Sequence, residues 1–334
     1  MSSQSPKYRF DAGNPMVVGG QAVIEGVMMR APGMVATAVR RPDGSIAVRK
    51  EPFVSLAEKN SLFKLPVLRG AVGLVEMLII GFRSLTYSAE ASQGNDGETE
   101  SGSIGAVMKA APGENFRLAV TLTGALLAAV AIFFLTPLLV TTALFHVDQQ
   151  PVAFNIIAGV IRLSLFLAYL LAISMMKDVR RLFEYHGAEH KVVFTFEREE
   201  DLSVACAARQ TRFHPRCGTS FLLVVMLVAI VLFGLLDAGM MYALGALTLP
   251  IRLATHLPLV PILGGVSYEC IRISARNSDT AIGRLIVAPG LWLQKITTRE
   301  PDAGELEVAL EALRSALGAE EAAGAPLLRQ AAAR

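Results

Sequence analysis

LAVTLTGALLAAVAIFFLTPLLVTTALF (residues 118–145) is an apolar stretch without a single charged residue. A helix of this length rises far enough to cross about 30 Å of hydrocarbon, the thickness of a bilayer core. Of the 334 residues of the chain, 53% are hydrophobic and 18% are charged, whereas soluble domains average roughly a quarter charged. The sequence therefore predicts a membrane protein.

Three further apolar segments extend this prediction, at residues 153–176, 219–236 and 250–273. Prolines 258 and 261 predict a bend in the last segment. We therefore predict an α-helical polytopic membrane protein with about four transmembrane helices, two over 118–176 and two over 219–273. The sequence leaves residues 238–249 open as an outer loop, an interfacial helix or a re-entrant piece.

The distribution of Lys and Arg predicts the orientation of the chain. The connections 146–152 and 237–249 contain neither residue, whereas 177–218 contains eight. By the positive-inside rule, 177–218 is a cytoplasmic segment and both termini are cytoplasmic. The first fifteen residues lack the apolar core of a cleavable signal peptide. A net charge of +2 gives no global field for nucleic acid, so no nucleic-acid partner is expected.

The sequence of the N-terminal part predicts a disordered arm over residues 1–15 and a small β-rich cytoplasmic domain over residues 16–61. Residues 35–40 and 45–49 alternate apolar and polar side chains on either side of Arg41-Pro42-Asp43-Gly44, which predicts a hairpin. A sheet of this size cannot bury a sufficient core alone, so we expect it to pack against another part of the chain.

Residues 62–87 predict a helix with a polar stripe, because Arg69, Glu76 and Arg83 are spaced by seven. Such a helix lies in the bilayer interface or packs against protein with its stripe inward, and the charge distribution favours an interfacial amphipathic helix. Residues 88–117 predict a flexible acidic linker and the lead-in to the first span. The cytoplasmic tail, 274–334, carries an amphipathic helix over 304–318 and ends in a frayed stretch.

YHGAEHK (residues 185–191) carries the main chemical signal, just before a strand-like run. On a helix, His186 and His190 are one turn apart with Glu189 beside them. The order His-x-x-Glu-His matches a zinc-protease motif in which the two histidines bind metal and the glutamate is the base. Gly187 within the motif weakens a helix by about 1 kcal/mol relative to Ala.

Five motifs occur in the order GGQAVIEGVMMRAP (19–32), EYHGAEHK (184–191), HPRCGTSF (214–221), SYECIR (267–272) and PGLWLQKITTREP (289–301). Together they resemble the YqhQ-like family of bacterial integral membrane proteins. That family is a domain of unknown function, sometimes labelled a predicted metal-dependent enzyme. The resemblance implies a multi-pass protein of the bacterial cytoplasmic (inner) membrane and supplies no established reaction.

Two zinc arrangements follow from the residue types. In a catalytic site, His186 and His190 with either His214 or Glu269 hold Zn²⁺, and Glu189 activates the bound water. In a structural site, His186, His190, His214 and Cys217 close the coordination shell. The alternative is that these histidines bind no metal and instead bond to helix ends and backbone carbonyls.

Other polar residues are expected on the same side of the membrane, namely Gln21, Glu25, Arg30, Arg216 and Arg272. Glu25 and Arg30 pair with the histidine cluster, serve a substrate, or form a salt-bridged surface on the sheet. Inside the membrane, Arg162 is predicted to pair with Asp237, since an unpaired charge there is costly. Otherwise Arg162 snorkels to the membrane surface.

Two functions remain from the sequence, and transport is weaker because no paired repeats are visible. The first is a metal-dependent hydrolase or transferase at the cytoplasmic leaflet. The second is a non-catalytic membrane scaffold or assembly factor for membrane-protein biogenesis or lipid handling. The expected partners are the lipid bilayer, other membrane proteins and a second copy of the chain as a homo-oligomer.

Overall fold

The computed structural model describes residues 18–94, 112–276 and 280–318. The predicted arm (1–15), most of the predicted linker (88–117) and the predicted frayed end (319–334) lie outside the described residues.

The N-terminal domain is an antiparallel meander in the order β1-β2-β3-β4. The strands are β1 (Gly19–Val23), β2 (Gly26–Ala31), β3 (Met34–Arg40) and β4 (Ile46–Pro52). In the turn between β3 and β4, the Arg41 N–H donates to the Ser45 carbonyl at 2.9 Å, and the Ser45 N–H donates to Asp43 Oδ1 at 2.9 Å. The predicted hairpin is confirmed.

The helices follow in chain order, interrupted by a π-helical turn at Ala131–Leu135 and by 3₁₀ turns at Ser61–Lys64 and Leu257–Leu259. They are α1 (Leu56–Lys59), α2 (Leu68–Ala91), α3 (Pro112–Val130), α4 (Thr136–Phe145), α5 (Pro151–Ser174), α6 (Lys177–Glu197), α7 (Val204–Ala208), α8 (Gly218–Leu244), α9 (Leu249–His256), α10 (Val260–Arg276), α11 (Ala281–Thr297) and α12 (Ala303–Leu317).

Among the residues that the structure describes, four helices are long and apolar enough to cross a membrane, as predicted. They are Thr123–Phe145, Pro151–Ser174, Gly218–Leu244 and Leu249–Ile273. The predicted bend in the fourth falls at the 3₁₀ turn, where Pro258 interrupts the helix. Most of the stretch 238–249 continues α8 as regular helix up to Leu244, so it is not a separate outer segment.

The sheet is buried on both faces, which explains how so small a domain is stable. Val27, Met29 and Ala38 on one face pack against α6 and α12. On the other face, Met28 and Val39 pack against α2. Alternate residues of each strand therefore belong to different cores, as the period of two requires. The expectation that the sheet leans on other parts of the chain is confirmed.

Helix α2 begins later and ends later than the predicted helix over 62–87, and its polar stripe faces protein. Arg69 forms an ion pair with Glu269 of α10. Glu76 is buried and accepts the backbone N–H of Leu56 at 2.6 Å. Apolar side chains such as Leu78 are exposed on the opposite side. The polar stripe is therefore turned inward, towards protein. That α2 lies in the bilayer interface stays a prediction.

The part of the C-terminal region that the structure describes after residue 279 contains two helices, of which the sequence predicted the second. Helix α12 starts with a capping box, in which the Glu305 N–H donates to Asp302 Oδ1 at 2.8 Å and the Asp302 N–H donates to Glu305 Oε2 at 2.9 Å. Leu310 and Leu313 bury this helix against the sheet. Helix α11 packs Leu293 against α5 and α8.

A buried carboxyl in the first turn of α12 predicts a pH-dependent stability. Burial raises the pKa of Glu305 from 4.5 to about 7. The folded state therefore favours the protonated carboxyl, and its stability falls as the pH rises from about 4.5 towards 7. Glu305→Gln should remove this component from the apparent melting temperature of detergent-purified protein measured between pH 4.5 and 8.

Glu307→Gln is the matched control, because Glu307 lies in the same helix with an exposed carboxylate paired to Arg40. It should keep the pH dependence of the wild type. Equal pH slopes in the wild type and Glu305→Gln would contradict the prediction.

Candidate metal centre

Helix α6 presents its two histidines on one face, one turn apart. The ring centroids of His186 and His190 are 4.5 Å apart. The helix continues through residues 192–196, so the run that looked strand-like is helical. Its β-branched side chains, such as Val192, are buried against the sheet, which overrides their strand propensity.

Cys217 completes the cluster from the N-cap position of α8. Its Sγ lies 3.1 Å from His186 Nε2 and 3.1 Å from the Thr219 hydroxyl. The ligand atoms of His186, His190 and Cys217 all lie within 4.8 Å of one another. We call these three residues the Cys–His cluster.

Backbone carbonyls determine which nitrogen of each imidazole faces the cluster. His186 Nδ1 lies 2.7 Å from the Thr297 carbonyl oxygen, and His190 Nδ1 lies 2.5 Å from that of Arg212. A carbonyl can only accept, so both Nδ1 atoms carry a proton and donate. In the neutral imidazoles, both Nε2 lone pairs are therefore available to the cluster.

Gly187 allows the chain after α11 to approach α6 closely enough to form the first of these bonds. A Cβ at this position would lie 2.0 Å from the Arg299 carbonyl oxygen. The Arg299 N–H donates to the Phe183 carbonyl at 2.8 Å, which holds the segment along the helix. The helix-weakening glycine in the motif is thus explained by a backbone contact that brings Thr297 to His186.

The cluster stabilises a thiolate. Burial alone would raise the pKa of Cys217, but the charges of His186 and His190 and their hydrogen bonds hold it well below its ordinary value. Conversely, burial alone would lower the pKa of His186, but the Cys217 charge and hydrogen bond, with a smaller contribution from Glu189, raise it to about 9. A thiolate is the form of cysteine that binds metal or attacks an electrophile.

This donor set suits zinc. Catalytic zinc sites use three protein ligands from Cys, His and carboxylate and leave a fourth position for water or substrate. Imidazole ligands typically donate their second N–H to a carbonyl or carboxylate, as both histidines do here. The three residues therefore fit the ion that the sequence predicted.

His214, a predicted ligand, is outside the cluster. Its Nδ1 accepts the Arg216 N–H at 3.3 Å, so Nε2 carries the proton and lies 3.4 Å from a Glu197 oxygen. Burial lowers the pKa of His214 to about 4, which keeps the ring neutral. Both ring nitrogens are engaged with the protein, so the closed four-ligand site with His214 is not formed.

Glu269, the other predicted ligand, does not belong to the cluster either. Its carboxylate forms a two-pronged ion pair with Arg69 of α2, with the Arg69 Nε–H donating at 2.6 Å. Arg272 lies near the same carboxylate. The SYECIR motif therefore joins α10 to α2 through the Glu269–Arg69 pair. Because the Glu269 carboxylate is paired with this guanidinium, it is not available to the histidines.

Glu189, the predicted base, lies beside the cluster without belonging to its ligand group. The side chain is buried. A Cβ at Gly20 of β1 would lie 3.0 Å from Glu189 Cγ, so the glycine leaves space for the carboxylate arm. The first motif thus borders the site through its backbone.

Two of the remaining polar residues form ion pairs near the site. Glu25 pairs with Arg181 of α6, and the Tyr185 hydroxyl lies 3.4 Å from the other carboxylate oxygen. Arg216 pairs with Glu197. These contacts agree with the salt-bridged alternative for Glu25, and they attach the sheet and the 213–217 loop to α6.

The other two polar residues of the first motif face α2. The Gln21 side chain lies against Gly81. The Arg30 guanidinium lies over the Phe53 ring at 4.5 Å and within 3.5 Å of the Met77 sulfur. Neither contributes to the Cys–His cluster.

Comparison with known proteins places the chain in a family. The family described as "Protein of unknown function (DUF1385)" matches residues 65–319. The chain belongs to this family. It is also 32% identical over 308 residues to "Uncharacterized protein YqhQ" of Bacillus subtilis (strain 168), covering 91% of this chain and 93% of that protein. The expected YqhQ-like membership is confirmed. No solved structure matches the chain.

Four of the five motifs that signalled this family meet at or beside the cluster. EYHGAEHK supplies the histidines, HPRCGTSF supplies Cys217, PGLWLQKITTREP supplies the Thr297 carbonyl, and the first motif borders Glu189. SYECIR is the exception. The family region at 65–319 contains every residue of the cluster.

The sequence did not identify the residues that orient the site. Gln294 accepts the His214 N–H at 2.7 Å and donates to the His214 carbonyl at 2.7 Å, so it holds the loop before Cys217. The position of Gln294 within the PGLWLQ motif could have indicated that it belongs to the site. Thr297 and Arg212 act through main-chain carbonyls, which every residue has, so no side-chain pattern could have indicated them.

The predicted Arg162–Asp237 pair does not form. The Arg162 Nε–H donates to the Phe133 carbonyl at 2.9 Å, at the π-helical turn that frees such a group. Asp237 instead accepts from His256 at 2.9 Å and lies 3.5 Å from Arg252 Nε. The Arg162 guanidinium lies over the Phe134 ring, and Phe134 packs edge-on against His256. Arg252 and His256 approach Asp237 from the short helix α9.

The contact at Gly187 predicts a position-specific effect of alanine. Gly187→Ala should destabilise the protein by about 1–3 kcal/mol, because the new methyl overlaps a backbone oxygen that cannot rotate away. Gly73→Ala in α2, where a Cβ meets nothing within 4 Å, should be neutral or stabilising by up to about 1 kcal/mol. Thermal unfolding in detergent compares the two, and similar effects from both would contradict the assignment.

Proposed function

We propose that this protein is a multi-pass bacterial inner-membrane protein that binds Zn²⁺ through His186, His190 and Cys217 and acts as a metal-dependent hydrolase or transferase at the cytoplasmic face. One observation carries the metal assignment. Both imidazoles donate Nδ1–H to fixed carbonyls, so both Nε2 atoms are oriented towards the same thiolate. Three soft or borderline donors held at one point are the composition that zinc selects.

The chain's own residues supply the remaining chemistry. Bound in this position, zinc would lower the pKa of a coordinated water and polarise an acyl or phosphoryl oxygen. Glu189 lies next to the ligands on α6 and is the base that would accept the proton. The Thr219 hydroxyl lies near Cys217 Sγ and orients it. Burial of the cluster strengthens each of these electrostatic interactions.

The placement at the membrane follows from α8. Cys217 directly precedes this apolar helix, so a bilayer-spanning α8 puts the cluster at the level of one leaflet surface. The excess of Lys and Arg in 177–218 supports a cytoplasmic location for that surface and for both termini. The substrate would then be reached from the cytoplasm or from the adjoining leaflet.

The metal content of variants in which one cysteine is replaced tests the proposal. Purified wild-type protein should carry about one zinc per chain by elemental analysis. Cys217→Ser should reduce that content at least tenfold, because a hydroxyl is a far weaker zinc ligand than a thiolate. Cys206→Ser is the matched control, since Cys206 is a free cysteine outside the cluster and should leave the zinc content unchanged.

Glu189→Gln separates the base from the ligands. It should keep the zinc while abolishing turnover of any substrate the wild type hydrolyses, because the amide is isosteric but cannot accept a proton. A wild-type protein that folds, remains free of metal after incubation with zinc and shows the same thermal stability with and without it would overturn the metal assignment.

A non-catalytic role has its own supporting observation. Helix α2 exposes Val75, Leu78 and Leu85 on the side away from the sheet, beside α10. Such a face suits lipid or a membrane-protein partner, as a scaffold or assembly factor would need. Photocrosslinking from Leu78 in native membranes distinguishes the occupants: adducts to lipid alone argue against a scaffold, whereas a defined protein adduct or a dimer supports one.

A further inference from the structure

A partly exposed apolar stripe leads along α6 to the Cys–His cluster. Val179, Leu182 and His186 are spaced by three and four, which places them on one side of the helix. All three are partly exposed, and Val179 and Leu182 belong to none of the hydrophobic cores in the described part of the chain. We call Val179 and Leu182 the α6 stripe. It ends at a ligand of the proposed metal ion.

The ligand at the end of the stripe is the accessible member of the cluster. His190 and Cys217 are buried, whereas His186 is partly exposed. A substrate that approaches the cluster therefore reaches it on the His186 side. Leu182 adjoins this side, because it lies one helical turn before His186.

The other end of the stripe begins where the apolar helix α5 ends. Met175 and Met176 join α5 to α6 and are 80% and 55% exposed. Methionine side chains adapt to irregular apolar surfaces such as lipid chains. Charged side chains lie on the opposite side of this part of α6, namely Lys177, Arg180 and Glu184. A helix segment with this division turns its apolar side towards the bilayer.

Helix α11 brings a second apolar surface to the same end of the bundle. Its Leu293 packs against Leu170, in the last turns of α5. Trp292, the next residue along α11, is 71% exposed, and tryptophan concentrates at the interface between membrane and water. The same helix ends at Thr297, whose carbonyl holds His186. The helix that orients this ligand therefore borders the surface at which α5 ends.

We propose that the substrate of the Cys–His cluster is an acyl ester of a membrane glycerolipid, whose acyl chain lies along the α6 stripe while its ester reaches the cluster beside His186. This inference rests on the proposed zinc hydrolase and names its substrate class. A polar molecule from the cytoplasm would gain nothing from an apolar approach, whereas an acyl chain buries its methylene groups there.

The reaction needs no co-reactant besides water. Hydrolysis breaks the bond between the acyl carbon and the glycerol oxygen. The hydroxyl of one water molecule joins the acyl carbon, and the remaining proton passes through Glu189 to the glycerol oxygen. The products are a free fatty acid and the deacylated lipid.

Photocrosslinking in lipid nanodiscs tests where the acyl chain lies. The full chain, with p-benzoylphenylalanine in place of Leu182, is irradiated in nanodiscs of phosphatidylethanolamine and phosphatidylglycerol. Mass spectrometry of the intact protein should show severalfold more phospholipid adducts than the same probe gives in place of Glu184, which lies on the charged side of α6. Equal adduct yields at the two positions would overturn the proposal.

The zinc content of the same samples separates this proposal from the metal assignment. A zinc-loaded chain without an excess of adducts at Leu182 overturns the lipid substrate and leaves the metal site standing. A chain that forms these adducts but remains free of zinc overturns the proposed hydrolase, and with it the claim that the bound lipid is a substrate.

The release of fatty acid tests the reaction. Zinc-loaded wild-type protein should release free fatty acid from phosphatidylglycerol in nanodiscs. Leu182→Gln should slow this release about tenfold with its zinc content unchanged, because the amide loses the apolar contact with the acyl chain. Glu184→Gln is the matched control and should keep the wild-type rate. No release by the zinc-loaded wild type, or equal rates in the two variants, would overturn the choice of substrate.

Discussion

One close backbone contact, between Gly187 on α6 and the Arg299 carbonyl, determines how the two ends of the chain are assembled. It holds the segment after α11 along α6, and this places the Thr297 carbonyl where it orients His186. The same segment leads directly into α12, which covers one face of the N-terminal sheet. The geometry of the Cys–His cluster and the packing of the sheet therefore depend on a position where any side chain would overlap the backbone.

The two polar centres follow the same physical rule from opposite ends of α8. In each, one imidazole nitrogen is committed to a fixed acceptor, so the chemistry depends on the other nitrogen. At His186 and His190 the acceptors are neutral carbonyls, and the remaining nitrogens converge on a thiolate. At His256 the acceptor is a carboxylate, and the Phe233 ring is stacked on the imidazole. The first arrangement suits a metal ion, and the second joins α8 to α9 through a buried hydrogen bond.

The parts of this structure that could be predicted from sequence are those set by local pattern. Long, mainly apolar segments indicated the four long helices of the described residues, and Pro42-Asp43-Gly44 indicated the hairpin. The spacing of His186 and His190 indicated half of the candidate site. Cys217 was also recognised, because it stands in a motif at the start of an apolar helix.

What could not be predicted were choices between partners that depend on tertiary packing. Glu269 has the chemistry of a metal ligand, but its carboxylate forms an ion pair with Arg69, which lies two hundred positions away in the sequence. His214 had the right spacing from Cys217, yet its ring is turned towards Glu197. Asp237 was expected to neutralise Arg162 and instead bonds to His256, because α9 folds back over the end of α8.

The covering of the sheet by α12 has a consequence for biosynthesis. A ribosome releases β1 to β4 first and α12 near the end, so the part of the sheet that α12 covers stays without that cover while the apolar helices are synthesised. The core between the sheet and α12 therefore forms only when translation is almost complete. A nascent chain that stops after α10 would lack the α12 contacts of Val27, Met29 and Ala38 and would expose apolar surface that chaperones and proteases recognise.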